Sequence, residues 1–264
     1  MSKHGSARVA LVGAAVAAVV ALAGCGGVPK GTKPDVPGEN AGGTAAAATS
    51  RLSSTAPLTT RQSAVAKSFA RANSIPFPVA VGNTWVYQTT AGGQSGRTTN
   101  RIVGAGPGSA GYRVTVSSTT DVGGSATTVV PVYTFYPNGT IGYPVPPVSG
   151  VPVTGRDIRW PDTAALASGK VYHSVLPIQG GNADVTVQGT GTTSVSVPAG
   201  TYQASVVKTT ISAQGQTIEV TIWIAQGTGP VKTEVLIRAP GGTGLTTNEL
   251  LSFTKAVSVI GDGS

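Results

Sequence analysis

The chain has 264 residues, with eighteen Lys and Arg against ten Asp and Glu, a net charge of +8, one cysteine and two histidines. So few histidines exclude multi-histidine metal sites and leave triad chemistry a single candidate in His173. The lone cysteine excludes a disulfide within one chain, and no dense basic stretch interleaved with aromatics points to nucleic acid.

Lys3 and Arg8 precede Val9–Ala23, an unbroken run of small and apolar residues. A membrane span needs about 20 such residues, so this shorter run reads as the core of a signal peptide over 1–24. It ends in Leu22-Ala23-Gly24-Cys25, which resembles a bacterial lipobox. That resemblance implies a diacylglyceryl group on Cys25 Sγ, a further acyl chain such as palmitate, and anchorage on the outer face of the cell membrane. One acyl chain binds membranes only marginally, at about 0.8 kcal/mol per buried CH₂, so an anchor of several chains is expected. Loss of Lys3 and Arg8 would lower the net charge to +6, of which +4 lies in 25–75.

Residues 25–60 are rich in Gly, Ala, Ser, Thr and Pro without apolar periodicity and read as a flexible tether. Within 61–78, Arg61–Ala72 carries Val65, Phe69 and Ala72 at helical spacing and predicts one short helix, stopped by Pro76 and Pro78. A β domain is expected over 79–260, leaving 261–264 as a tail. Its predicted strands are Thr84–Thr90, Arg97–Val103, Tyr112–Thr119 and Thr127–Tyr136. Pro137-Asn138-Gly139 is a hairpin signal returning the chain through Thr140–Tyr143. After a proline-rich loop to Arg156 come Asp157–Trp160, one helical turn within Thr163–Ser168, and a strand over Lys170–Ile178. Asp184–Val197 is one strand or two joined at Gly189-Thr190-Gly191.

The strongest pattern follows. In Gln216–Ala225, Ile218, Val220, Ile222 and Ile224 alternate with Thr217, Glu219, Thr221 and Trp223, a strand with one buried face. Tyr202–Ile211 precedes it and Val231–Ile237 follows, an antiparallel meander with glycine-marked turns. Leu250–Val259 closes the chain, with Leu251, Phe253, Val257 and Val259 assigned to one face. The fold class is all-β: a single antiparallel, strongly curved sheet or open half-barrel of roughly ten strands. A flat sheet of that size would leave an apolar face in water, so it must curl, pair or hold something.

Chemistry is sparse. No Gly-x-Ser-x-Gly occurs, so the usual nucleophile elbow is missing. Glu219 and Glu234 lie on neighbouring predicted strands with Lys208 and Lys232, where cross-strand ion pairs explain them better than a two-carboxylate hydrolase site. Asp157 and Asp162 flank Trp160 and read as turn caps. Gly106-Pro107-Gly108-Ser109-Ala110-Gly111 matches Gly-x-Gly-x-x-Gly but leads into a strand, so it is a turn and not a dinucleotide fingerprint. The aromatic residues pack the core on one reading. On the other, Trp223, projecting opposite the isoleucine face, lines a concave ligand surface with Tyr202 or Trp85.

Three stretches occur in order: Gly82-Asn83-Thr84-Trp85-Val86-Tyr87, Pro198-Ala199-Gly200-Thr201-Tyr202, and Trp223-Ile224-Ala225-Gln226-Gly227-Thr228-Gly229-Pro230-Val231-Lys232. Together they resemble a group of uncharacterised bacterial exported proteins and lipoproteins, itself similar in fold to the curved-sheet lipoprotein carriers of bacterial envelopes. The resemblance implies a fold and no functional residue. The expectation is a membrane-anchored, non-enzymatic envelope lipoprotein that needs no cofactor and no metal and binds an apolar ligand, a lipid or glycolipid. The alternative is an interaction module for an envelope protein or cell-wall polymer.

Overall fold

The computed structural model describes residues 78–144, 157–162, 166–178 and 181–256. The expected signal peptide, Cys25, the tether, the helix over 61–72 and Val257–Val259 lie outside them. The described residues form thirteen strands of one antiparallel sheet, rolled into a nearly closed barrel. No described helix is long and apolar enough to cross a membrane.

The first half comprises β1 (Thr84–Ala91), β2 (Gln94–Pro107), β3 (Tyr112–Val122), β4 (Ser125–Val129), β5 (Val132–Phe135), β6 (Ile141–Pro144) and β7 (Asp157–Trp160). The second comprises β8 (Val171–Ile178), β9 (Gly181–Val197), β10 (Gly200–Ala213), β11 (Gln216–Ala225), β12 (Gly229–Ala239) and β13 (Gly242–Thr254). Around the sheet the order is β7-β6-β5-β3-β2-β1-β13-β12-β11-β10-β9-β8, with β4 also on β3. The two halves are joined by β1 on β13, and the two sheet ends are β7 and β8.

The count exceeds ten because local chemistry divides what looks continuous. Thr127–Tyr136 splits at Val130-Pro131, where proline has no N–H to give the ladder; Pro131 O instead accepts from Val116 N at 3.0 Å. β4 and β5 therefore both pair β3, one after the other. Asp184–Val197 belongs to one long strand, β9, whose glycine-rich middle lies against a bulge at Ser205/Val207 of β10. The Gly106–Gly111 stretch is a hairpin turn, as expected, closed by Gly108 N to Gly111 O at 2.8 Å.

β13 requires a correction. It starts at Gly242, before the expected Leu250, and a bulge opposite Val86/Tyr87 shifts its phase. Trp85 faces Phe253 and Tyr87 faces Leu250, so Leu250 and Phe253 share the inner side, and Leu251 is the extra residue.

The core is the barrel interior. Inward residues of β9–β12, among them Val185, Val187, Val207, Ile211, Val220, Ile222 and Val235, are almost wholly buried. The isoleucine face of Gln216–Ala225 is thus the inner face.

Candidate functional site

β8 pairs β9 only from Gly181 to Gln188. Beyond Gln188, β9 has no strand neighbour on that side among the described residues, and residues 166–170, which lead into β8, lie against it there. A helical turn at 166–167 rests on the backbone of Gly189, where an added Cβ would collide with Leu166 O. Gln188 Nε2 donates to Gly169 O at 3.1 Å and ties the crossing to β9. Residues 166–170 form a strap against β9 here, in place of a strand pair.

Beneath the strap lies a cavity of about 320 Å³. Its apolar wall includes Ile141, Trp160, Leu166, Val207 and Ile224, and Gln203 and Gln226 stand among its polar lining residues. That volume falls at the lower end of the range for small-molecule sites, about 300–1,000 Å³. A second void of about 40 Å³ is bounded by Trp85, Asn100, Val114, Val116 and Tyr133. Ile141 and Trp160 line both spaces.

The inner wall along β13, β1, β2 and β3 carries buried polar residues. Each hydroxyl has one hydrogen to give, which sets the direction of its hydrogen-bond chain. Thr89 donates to Asn248 Oδ1 at 2.6 Å, so it accepts from Thr98 at 2.7 Å, and Thr98 in turn accepts from Thr120 at 3.0 Å. All four residues are buried. Next to this chain, Asn100 on β2 stands directly opposite Ser118 on β3. Both are essentially inaccessible, and neither Asn100 amide atom nor Ser118 Oγ finds a hydrogen-bond partner.

The three aromatic residues proposed from sequence do not converge on one surface. Trp85 lines the smaller void, stacks on Phe253 with centroids 5.0 Å apart, and donates from Nε1 to Thr228 O at 2.6 Å. Trp223 alternates out of phase with the buried Ile222 and Ile224, and its ring lies 5.4 Å from Lys232 Nζ. Tyr202 is half-buried at the start of β10, and neither it nor Trp223 lines either cavity. Asn100, Ser118, Trp160 and Val207 were missed. The available signal was phase: Thr98, Asn100 and Ile102 alternate, and an inward Ile102 brings its polar neighbours in with it.

The charged residues are paired elsewhere. Lys232 Nζ reaches Glu234 at 3.0 Å and Glu249 at 3.2 Å. Burial lowers the pKa of the Lys232 ammonium, but hydrogen bonds and charge from both glutamates outweigh this and hold it above its ordinary value. Glu219 pairs with Arg238 on β12, not with Lys208 or Lys232. His173 is exposed on β8, and no cluster of three His, Cys, Asp or Glu occurs among the described residues. Asn138-Gly139-Thr140 is a turn: Gly139 has φ +82°, and Asn138 Oδ1 accepts from Thr140 N and Oγ1 at 3.2 and 2.7 Å.

No family model matches the chain, and no curated protein does. Among solved structures it is similar to a candidate lipoprotein from Parabacteroides distasonis, with 18% identity and a TM-score of 0.49, over 68% of this chain and 98% of that one. It is also similar to a candidate exported protein with a YmcC-like fold from Bacteroides fragilis, with 17% identity and a TM-score of 0.45 over the same shares. At those identities and TM-scores each is a likeness and nothing more, so the site is read from this chain's own residues.

Proposed function

We propose that the protein is a non-enzymatic lipoprotein of the bacterial envelope that holds an apolar ligand, a lipid or glycolipid, inside its barrel. The carrying observation is the cavity of about 320 Å³ under the strap, walled by Trp160, Leu166, Val207 and Ile224. An apolar group entering it leaves water at roughly 25 cal/mol per Å² buried.

Placement rests on Leu22-Ala23-Gly24-Cys25. In this reading Cys25 carries the diacylglyceryl anchor and residues 25–60 tether the barrel on the outer face of the membrane. The carboxylates Glu219, Glu234 and Glu249 are engaged in ion pairs with Arg238 and Lys232, which speaks for binding over hydrolysis.

The test is native mass spectrometry of the full chain purified from a lipid-rich bacterium, followed by organic extraction. The expected result is a stoichiometric apolar adduct that is lost in Val207→Trp, which fills the cavity. An adduct-free mass from several hosts would overturn the carrier reading and turn attention to a protein or wall partner.

A further inference from the structure

Resting on the apolar-ligand reading, we infer that the ligand is amphipathic and that the cavity fixes which way round it lies. Its hydrocarbon lies against Trp160, Val207 and Ile224. Its head, uncharged and hydroxyl-bearing, sits among Thr192, Gln203, Ser205 and Gln226.

Strand register locates the mouth. Residues directly opposite in an antiparallel pair share a face of the sheet. Ser205 on β10 stands opposite Ile224 on β11 and Thr192 on β9, and Ile224 is buried in the barrel interior. Ser205 and Thr192 therefore face inward, as does Gln203 two residues before Ser205. All three are nonetheless exposed. Further along β10 the inward Val207, Thr209 and Ile211 are buried. The interior thus meets solvent at the level of Ser205. The cavity under the strap opens there, since Thr192, Gln203 and Ser205 line it together with Gln226, which is exposed just after β11.

The lining is therefore divided by depth, with buried apolar side chains inside and exposed neutral polar ones at the mouth. Among the described residues, none that lines the cavity is charged, and none of the four mouth side chains makes a hydrogen bond. Amide and hydroxyl side chains both give and accept hydrogen bonds. A glycerol or sugar hydroxyl does the same and can use every valence the mouth offers. A carboxylate or phosphate only accepts, and a trimethylammonium group does neither. Either ion would also meet no counter-charge, and moving an ion out of water without one is costly.

Three probes built on one ω-bromoundecyl chain separate these heads: its monoglyceride, its carboxylate and its trimethylammonium salt. Bromine quenches tryptophan on contact, and Trp160 lines the cavity, so quenching titrations report a chain end lodged inside. The protein is the full chain carrying Cys25→Ser, which removes competing anchor lipid, at about pH 8, where a free carboxyl is ionised.

The monoglyceride is expected to bind about five- to fiftyfold more tightly than either ion, the worth of one or two neutral hydrogen bonds. Gln203→Leu combined with Gln226→Leu should remove most of that preference while leaving both ions bound as before, and Ser205→Ala should reduce it. These side chains are exposed, so the variants should fold. Trp160→Phe should remove most of the quenching. A monoglyceride brominated beside its ester should quench far less than the ω-bromo one, because that end stays at the mouth.

Equal binding of the three heads, tighter binding of the carboxylate, or a preference that survives loss of both glutamines would overturn the inference. Equal quenching by the two bromine positions would overturn it as well, by denying the chain a fixed direction. Failure of all three probes to quench Trp160 would instead remove the apolar-ligand reading on which it rests.

Discussion

The barrel has two unlike inner walls. Along β9–β12 the inward positions are mostly Val and Ile, nearly all fully buried. Along β13, β1, β2 and β3 they include Asn248, Thr89, Tyr87, Thr98, Asn100, Thr120 and Ser118, which are just as buried. The backbone geometry is the same on both sides, so the difference is one of chemistry alone. The apolar wall is held by packing, which is non-directional and tolerates exchange among shapes of like volume. The polar wall is held in part by hydrogen bonds, and each lost partner exposes the full desolvation cost of the other. A cavity beside the apolar wall costs dispersion contacts, which an apolar occupant would restore, whereas a polar wall loses whole hydrogen bonds when a partner goes.

Mutation of each wall sharpens this contrast. The largest effect is expected from Ile222→Ala in the fully buried stripe. Equilibrium unfolding in urea should show a loss of about 2–5 kcal/mol, set by how far the neighbours collapse. Gly189→Ala comes next, because its Cβ would meet Leu166 O and the strap must shift. A cost of about 1–3 kcal/mol is expected, together with faster amide exchange in 166–170. An effect on stability without one on the strap would refute the role given to Gly189.

On the polar wall, Thr98→Val keeps the shape and interrupts the hydrogen-bond chain, leaving Thr120 without its acceptor. Its expected cost is about 1–2 kcal/mol, more than a like-sized Val→Thr-neutral surface change would show. A value near zero would mean that the chain does not hold the wall.

The smallest effect concerns the outer face. The Lys232 pKa is raised, so the folded chain keeps a proton that the unfolded chain loses. This stabilisation is fully present below the unfolded value of about 10.4 and disappears as pH rises through the folded one. Lys232→Gln should flatten the alkaline fall in melting temperature while lowering stability at neutral pH by no more than about 1 kcal/mol, as partly exposed pairs do.

The apolar wall was readable from sequence because alternation there is uninterrupted: Ile218, Val220, Ile222 and Ile224 declare their face unaided. The polar wall was not, since Thr, Asn and Ser at inward positions mimic the outward pattern. Thr89, Thr98 and Asn100 are placed inside by their alternation with Tyr87 and Ile102, a weaker signal than an unbroken run of Val and Ile. Bulges also hid the phase of β13, because one extra residue reverses every assignment beyond it.

The three quoted signatures behave similarly. Trp85 Nε1 and Tyr87 OH donate to Thr228 O and Pro230 O, at 2.6 and 3.0 Å, and Ala199 N donates to Leu250 O at 2.8 Å. The first and third stretches therefore meet directly, and the second docks on the strand that pairs with the first. Their turn residues were recognisable one by one, but their meeting depends on contacts 143 residues apart. The strap and its cavity were out of reach for the same reason: β7 and β8 are neighbours in sequence but opposite ends of the sheet.

The central claim is that an apolar chain occupies the space between Trp160 and Val207. Anomalous diffraction from crystals of the full chain grown with dibrominated octadecane tests it most directly. The account predicts paired bromine peaks inside the cavity beneath the strap, absent in Val207→Trp. Bromine found only on the outer face of the sheet, or nowhere, would contradict it.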